Sequence, residues 1–345
     1  MLSPNADQAK QLIESSQTIA LFGHDNPDGD AIGSMLALMT VLQWLGKKVE
    51  SFCSPLPSRL FNFVAGVEKI RSDFKPQRKY DLIIFVDFSG YDRIGHFSAW
   101  HYDYFDEKAL LIIDHHYGDT SPHAVVIKDT HADSNCEWLF EHLRVRWPEC
   151  ITRDVASYLY LGIATDTGNF VYDKQWSRSL RNAADLVDLG ANKRLISEKL
   201  FDSINLAQLQ FLTAIMSRYR MIDGVGCLWY SHGDFERLGI DREEASGYIT
   251  SVISKIVGQD LALIAKIDPG VMRVSLRSKH EKVNASAIAE QFGWWGHFYA
   301  AGASIKWELW WEEKERLVEL EKVYGEIQTK VVTMRDKVNE GGTSL

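Results

Sequence analysis

Aspartate and histidine gather at four places in this chain, in combinations that bind metal. His24-Asp25-Asn26-Pro27-Asp28-Gly29-Asp30 follows the apolar run Thr18–Phe22, Asp87 follows Leu82–Val86, and Asp114-His115-His116 follows the apolar residues 110–113. A fourth group, Thr165-Asp166-Thr167-Gly168, ends a mostly apolar stretch. No Lys or Arg lies inside any of the four segments. Carboxylates a few ångströms apart do not all stay ionised unaided, so bound divalent metal is the economical way to hold them together. Imidazole beside carboxylate suits Mn²⁺, Fe²⁺, Co²⁺ or Zn²⁺ better than Ca²⁺.

Taken singly, most of these groups have a plainer reading. The first could be a capped loop, Asp87 a helix cap or turn residue, and Asp166 a turn residue. Adjacent histidines at the end of a buried strand are harder to explain as packing. Together the four sets read as a dinuclear metal centre, because such centres are recognised by convergent carboxylates and histidines.

Convergence needs a scaffold, and the flanking pattern supplies one. The first half alternates strand-like runs (18–22, 48–53, 80–87, 109–114) with helical patterns (31–45, 136–144, 153–165, 179–189), which predicts βαβ units and a parallel sheet. In such a sheet, ligands bind beyond the carboxyl ends of the strands. Residues 195–220 read as helix without strand. A second alternating region follows, with strands at 225–230, 262–268 and 271–277, the last two joined by Asp268-Pro269-Gly270 as a hairpin. A short helix is expected over 285–291, and a further strand opens at Ala300. In the tail, Trp310, Leu317, Leu320, Tyr324, Ile327, Val331, Met334 and Val338 mostly follow heptad spacing. That spacing fits either a coiled-coil seam or one amphipathic helix packed on its own domain. Gly325 weakens the helix in the middle of this stretch.

The bulk numbers bound the rest. At 345 residues, with 46% hydrophobic and 25% charged residues, the chain suits a soluble globular protein of two domains. It has no apolar run near the roughly 20 residues that a membrane helix needs. Its first residues lack the features of a signal peptide, and its four cysteines are scattered with no CxxC pair. A cytoplasmic protein with reduced thiols is expected. The net charge of −9 argues against a grip on long nucleic acid, but not against a short nucleotide held by metals and one or two arginines. Eleven tryptophans, several of them late in the chain, could stack on bases, though packing is the commoner use.

The motifs closely resemble those of the DHH phosphoesterase superfamily, in its branch with a C-terminal DHHA1 domain. The matching residues are His24–Ser34, Val86-Asp87 with Arg93-Ile94-Gly95, Asp114-His115-His116, Thr165-Asp166-Thr167-Gly168, and Gly293–Gly302 with His297. The resemblance covers about residues 5–308. It implies an α/β fold: a parallel-sheet DHH catalytic domain (1–190), a helical linker (191–222), a smaller mixed-sheet DHHA1 substrate-binding domain (223–308) and a helical tail (309–345).

The resemblance also implies the roles. One metal would take His24, Asp28 and Asp87, and a second would take Asp30, Asp87, His115 and Asp166, with Asp87 bridging. Two divalent ions, typically Mn²⁺, would be the cofactors. His116 would lie beside the substrate phosphate, with Asp114 behind it as a positioning carboxylate, and both are expected in the catalytic machinery. Arg93, Arg277, Ser278, Gly296 and His297 would meet substrate. Where the family has a run of glycines, this chain has Gly293-Trp294-Trp295-Gly296-His297, which remodels the loop or narrows the cleft. The implied activity is hydrolysis of short oligoribonucleotides or linear or cyclic dinucleotides, with 3′-phosphoadenosine-5′-phosphate as a further substrate, by a homodimer. The rivals are an inorganic pyrophosphatase or exopolyphosphatase, an exonuclease on long single strands, and a nucleotide sensor without turnover.

Overall fold

The computed structural model describes residues 5–75, 78–88, 90–97, 104–105, 107–116, 123–171, 176–240, 242–279, 283–290, 295–296, 299–306 and 313–340. The chain forms two compact units, residues 1–203 and 204–345. Among the described residues, no helix is long and apolar enough to cross a membrane.

The first unit is a parallel sheet of six strands: β1 (Thr18–Phe22), β2 (Lys48–Phe52), β3 (Ile70–Arg71), β4 (Leu82–Val86), β5 (Ala109–Asp114) and β6 (Val125–Lys128). Their order is β3-β2-β1-β4-β5-β6, and every neighbouring pair is parallel. The chain builds outward from β1 in one direction, then returns to build outward from β4 in the other. The carboxyl ends of β1 and β4 therefore flank the point where the order reverses, where a crevice opens in folds of this type. Strand β4, Leu-Ile-Ile-Phe-Val, is buried along its whole length, as expected where both faces of a sheet are covered.

The two faces are covered differently. On one face lie the helices α2 (Gly29–Trp44), α3 (Asn135–Arg146) and α4 (Arg153–Asp166), with Leu36, Leu139, Leu159 and Ile163 meeting Leu21, Ile84 and Leu111 of the strands. On the other, Phe22, Phe52 and Phe85 pack with Phe74, Phe97 and Phe105; ring centroids of Phe22 and Phe74 stand 4.9 Å apart, edge to face. The unit also contains α1 (Ala6–Ser15), α5 (Trp176–Asp188) and α6 (Lys193–Leu200).

Three glycines bring α2 and α4 together. A Cβ on Gly29 would stand 2.4 Å from the Thr165 side chain, one on Gly33 2.4 Å from the Tyr158 carbonyl oxygen, and one on Gly162 2.4 Å from Asp30 Oδ1. These contacts are closer than any Cβ tolerates, so a side chain at any of the three would have to displace what α2 and α4 hold between them. This approach sets Asp166, the last residue of α4, against the start of α2. Asp166 was expected as a turn residue directly after a helix over 153–165, and it closes that helix as its last residue.

The second unit is a mixed sheet in the order β11-β12-β10-β9-β8-β7. Its strands are β7 (Arg220–Ile222), β8 (Val225–Ser231), β9 (Leu261–Asp268), β10 (Val271–Ser278), β11 (Trp295–Gly296) and β12 (Ala300–Lys306). Among the described residues, only β8 and β9 pair in parallel. The expected hairpin joins β9 and β10, with Asp268 opposite Val271 and Gly270 at φ +75°. One face packs on α7 (Leu206–Ile215), α8 (His232–Leu238) and α9 (Arg242–Ser254) through Phe211, Phe235, Ile249 and Ile253. The other packs on α10 (Ala285–Glu290) and the tail helix α11 (Glu313–Glu340), with Tyr324, Ile327 and Val331 buried in this unit's own core. Those three positions of the heptad stripe are thus used inside the chain, as the amphipathic-helix alternative requires. The expected helical stretch 191–222 falls partly in each unit, as α6 in the first and α7 and β7 in the second.

Candidate metal centre

The loop after β1 carries three of the expected ligands. Asn26 adopts a left-handed conformation, φ +50°, and Asp28 caps α2, its Oδ1 accepting from the backbone N–H groups of Asp30 (3.0 Å) and Ala31 (3.1 Å). Four residues before Asp28, His24 Nδ1 meets the Asp25 carbonyl oxygen at 2.7 Å. Donation to that carbonyl turns Nε2 inward, where it lies 3.3 Å from Asp87 Oδ2 and 3.8 Å from Asp28 Oδ1. His115, at the end of β5, repeats the arrangement: Nδ1 faces the Ala132 carbonyl at 3.3 Å, and Nε2 lies 3.3 Å from Asp166, 3.5 Å from Asp87 and 3.8 Å from Asp30. An imidazole pinned by a backbone carbonyl on one nitrogen and bare on the other is the usual posture of a metal-binding histidine.

Asp87 stands between the two histidines. Its N–H extends the ladder to Ile113 O (2.9 Å), and its own backbone then turns left-handed at φ +53°. A non-glycine residue in that region is uncommon and is found disproportionately at functional sites. The turn presents Oδ2 to His24 and Oδ1 to His115, so one carboxylate faces both halves of the site.

Asp30 is wholly buried, and backbone amides hold it there. Asn135 N donates to Oδ2 (2.6 Å) and Cys136 N to Oδ1 (2.8 Å), placing the carboxylate at the N-terminus of α3, where the helix dipole favours a negative charge. The Asn135 side chain in turn donates to Ser34 Oγ at 2.9 Å.

Three sets of ligand atoms come within 4.8 Å of one another: His24, Asp28 and Asp87; Asp30, His115 and Asp166; and Asp87, His115 and His116. All six expected metal ligands are therefore gathered, with Asp87 placed to join the first two sets. Asp87 Oδ1 and His115 Nε2 are buried with no hydrogen-bond partner among the described residues. Buried polar atoms are normally satisfied, and two unsatisfied ligand atoms pointing into a carboxylate–imidazole cluster fit a divalent cation.

The protonation balance fits as well. Burial and the neighbouring Asp87 charge push the Asp30 carboxyl up to about 7. Burial, with Asp30 and Asp28 nearby, raises Asp166 well above the usual carboxylate range. For His115, burial works against the cation, but Asp87 and Asp166 outweigh it and push the imidazole up to about 10. His24 is raised for the same reasons, by Asp28 and Asp87 against burial. Asp87 resists its own burial through His115 and His24 and stays well below the usual range. Without metal, the cluster can hold its carboxylates only by taking up protons.

Behind the candidate ligands lies the expected pair of His116 and Asp114, extended by a lysine that motif spacing does not reveal. His116 Nδ1 is 3.0 Å from Asp114 Oδ1 and 3.3 Å from Asp87 Oδ1. Asp114 is buried, and Lys128 Nζ is 3.2 Å from its second oxygen. Lys128 reaches it because β5 and β6 pair in a register that sets Asp114 opposite Lys128. Arg93 Nε donates to Asp25 Oδ1 at 2.8 Å, which ties Arg93 to the loop carrying His24.

The expected substrate residues of the second unit are only partly placed. Arg277 and Ser278 end β10, with Arg277 opposite Ala262 on β9 and Ala300 on β12, and its Nη1 donates to Leu276 O at 2.8 Å. Gly296 pairs with Ala301. Gly293, Trp294 and His297 lie outside the described residues.

Known proteins agree with this architecture. The bifunctional oligoribonuclease and PAP phosphatase NrnA of Bacillus subtilis is 25% identical over 316 residues, covering 89% of this chain and 94% of its own. Its namesake from Thermus thermophilus is 29% identical over 291 residues, 82% of each chain. The crystal structure of an exopolyphosphatase-related protein from Bacteroides fragilis shares the fold, with a TM-score of 0.79 over 95% of this chain and 97% of that one, at 20% identity. Residues 18–163 match the DHH family, N-terminal domain, and residues 231–324 match the DHHA1 domain. With both domains in order along one chain, the protein belongs to the DHH phosphoesterases, in the branch that carries a DHHA1 domain.

Proposed function

We propose that this chain is a metal-dependent phosphodiesterase acting on short oligoribonucleotides and linear dinucleotides, with 3′-phosphoadenosine-5′-phosphate as a further substrate. The observation that carries this reading is the joined pair of ligand sets, His24–Asp28–Asp87 and Asp30–His115–Asp166, with Asp87 facing both. The two NrnA relatives, named as oligoribonuclease and PAP phosphatase and aligned over most of their length, supply the substrate class. The net charge of −9 favours short substrates over long ones.

His24, Asp28 and Asp87 would hold one divalent ion, and Asp30, Asp87, His115 and Asp166 the other, with Mn²⁺ the expected metal. When bound, such ions lower the pKa of water and neutralise charge on phosphoryl oxygens. The protein's own groups do the rest. The carbonyls of Asp25 and Ala132 fix the tautomers of His24 and His115. The α3 amides hold Asp30 in place. Asp114, backed by Lys128, orients His116 through Nδ1, and in the imidazolium form of that ring Nε2 carries the proton that can go to the departing oxygen. Arg277 would take a substrate phosphate, to which a guanidinium fork is matched.

The test is release of nucleotide and phosphate, with Mn²⁺ supplied, from 5′-phosphorylated diadenylate, a short oligoribonucleotide, cyclic di-AMP, 3′-phosphoadenosine-5′-phosphate and pyrophosphate. Mononucleotide from the linear substrates is expected. Turnover of pyrophosphate alone would sink the nucleotide assignment while leaving the metal centre standing.

A further inference from the structure

The second unit contains a cavity of about 480 Å³ that the proposed activity does not use. It lies on the face of the mixed sheet covered by α11, between residues 217–229 and the helix. Its walls include Arg218, Arg220 and Trp229 from the sheet side and Tyr324, Gly325 and Gln328 from the helix. A cavity of this size suits a small molecule.

Four features give it a chemistry. The Arg218 guanidinium lies 4.1 Å from the Trp229 ring centroid and is anchored by two hydrogen bonds to Asp234, at 2.6 and 2.7 Å. This makes a rigid, planar stack against which a flat ring can pack. Arg220 is exposed, and its Nη1 is held by the carbonyls of Ser217 (2.7 Å) and Tyr219 (2.8 Å), which steadies a second cationic fork on the rim. No carboxylate is among the described residues lining the cavity, so its charge favours an anion. The Tyr324 side chain is 6% exposed, and its hydroxyl has no hydrogen-bond partner among the described residues, with only the Cys227 thiol, a weak partner, beside it.

Gly325 is the fifth observation. A glycine in mid-helix weakens the helix, and tight packing is the ordinary reason to keep one. Here a Cβ would meet nothing within 4 Å. The residue leaves space at the cavity wall and is not required for a helix contact.

We infer that this cavity, lined by residues other than those of the metal centre, is a second binding site for a small planar aromatic bearing a phosphate, the chemistry of a mononucleotide. The ring packs against the Arg218–Trp229 stack. Tyr324 and Gln328 meet polar atoms on its edge, and Arg220 meets the phosphate. The inference stands independently of the proposed activity, because every residue in it belongs to the second unit.

The experiment is calorimetric titration of the full chain with adenosine 5′-monophosphate in EDTA, with hydrogen exchange to locate the protection. Wild type should bind, with protection over 217–229 and 324–328. Arg220→Ala should weaken binding by about tenfold or more. Gly325→Met should abolish it while leaving the fold at least as stable, since methionine favours helix and enters open space. Adenosine and inorganic phosphate should each bind more weakly than the nucleotide. Undiminished binding in both variants, protection elsewhere only, or no saturable binding by wild type would overturn the site. Equal binding of phosphate and nucleotide would overturn the aromatic part of the assignment.

Discussion

Both units rest on a six-stranded sheet, but the strands of the first all run one way and those of the second run both ways. In the first sheet, the loops leaving β1, β4 and β5 all emerge at the same edge. Residues as far apart as 24, 87 and 115 therefore meet without any of them needing a long loop. In the second sheet, β10 reverses β9 and β12 reverses β10, so strand ends alternate between edges. There, the cavity is lined by residues of β7, β8 and α11 and of the turn before β7. The parallel sheet gathers the candidate ligands at one buried point, and the mixed sheet spreads its strand-end side chains over both edges.

The comparison breaks most visibly at Asp87. Asp87→Ala removes the carboxylate that faces both ligand sets and leaves His24 and His115 without their shared partner. Turnover is expected to fall by on the order of 10³ or more, the range found when a charge-stabilising group is lost from a reaction centre. Mn²⁺ should raise the melting temperature of wild type but not of this variant, since a ligand stabilises only a state that binds it. A variant that kept either property would show that the two sets are not joined through Asp87.

A smaller loss should follow when the chain behind His116 is cut. Asp114→Asn and Lys128→Met leave every proposed ligand in place, so Mn²⁺ should still bind and stabilise. Activity should drop by about 10- to 100-fold, the usual consequence of losing an outer positioning partner. Steady-state kinetics should place the loss in kcat. An equal loss of metal affinity would make Asp114 a ligand and not a positioning residue.

These two tests also divide what could be read from the sequence from what could not. The candidate ligands were legible because their motifs follow runs of buried residues, and a strand covered on both faces, such as Leu82–Val86, reads as an unbroken apolar stretch. Lys128 was not, because only the β5–β6 register brings it to Asp114, and register between distant strands leaves no local mark. The amides of Asn135 and Cys136 that hold Asp30 are backbone groups, which any residue could supply. In the second unit, α9 escaped notice: its Arg-Glu-Glu-Ala-Ser-Gly-Tyr start shows no apolar period, although Ile249 and Ile253 are buried at helical spacing. The tail's stripe was legible as a stripe, but whether it met its own unit or a second chain could not be told from spacing alone. The burial of Tyr324, Ile327 and Val331 in one core shows the use made of them.

The helix glycines sharpen the contrast in the other direction. Gly162→Ala places a Cβ 2.4 Å from Asp30 Oδ1, which backbone amides hold, and 2.3 Å from Cys136 Sγ, which is packed 3.3 Å from Ser34 Oγ. Neither can retreat without disturbing a ligand. Destabilisation of about 1–3 kcal/mol is expected, together with weaker Mn²⁺ binding, measured by denaturation with and without metal. Unchanged metal affinity would mean that α2 and α4 can separate without moving Asp30.

Stability in the second unit should carry its own pH signature. Lys266 sits on β9, and burial, with Arg242 close by, pushes its ammonium down to about 8 against the partial help of Asp268. A lysine with a folded pKa below its unfolded value of about 10.4 is disfavoured as a cation by folding. Its penalty is complete below pH 8 and is relieved as pH rises from 8 towards 10.4. Lys266→Met should therefore raise the melting temperature by a few degrees near pH 7, on the order expected for about 1 kcal/mol, with the gain shrinking above pH 8. A gain independent of pH would trace the effect to packing instead of charge.

The smallest effect should come from the counterpart of Gly162 in the tail helix. Gly325 lies in α11, but a Cβ there would touch nothing within 4 Å. Gly325→Ala removes the backbone freedom of glycine without adding a clash, so it should stabilise the fold by at most about 1 kcal/mol. The same substitution in two helices thus has opposite signs, because one glycine is pressed against a carboxylate and the other borders open space. Urea denaturation of both variants checks this directly. If Gly325→Ala proved destabilising, α11 would have to pack more closely on its surroundings than the open space at Gly325 allows, and the cavity beside it would be smaller in solution.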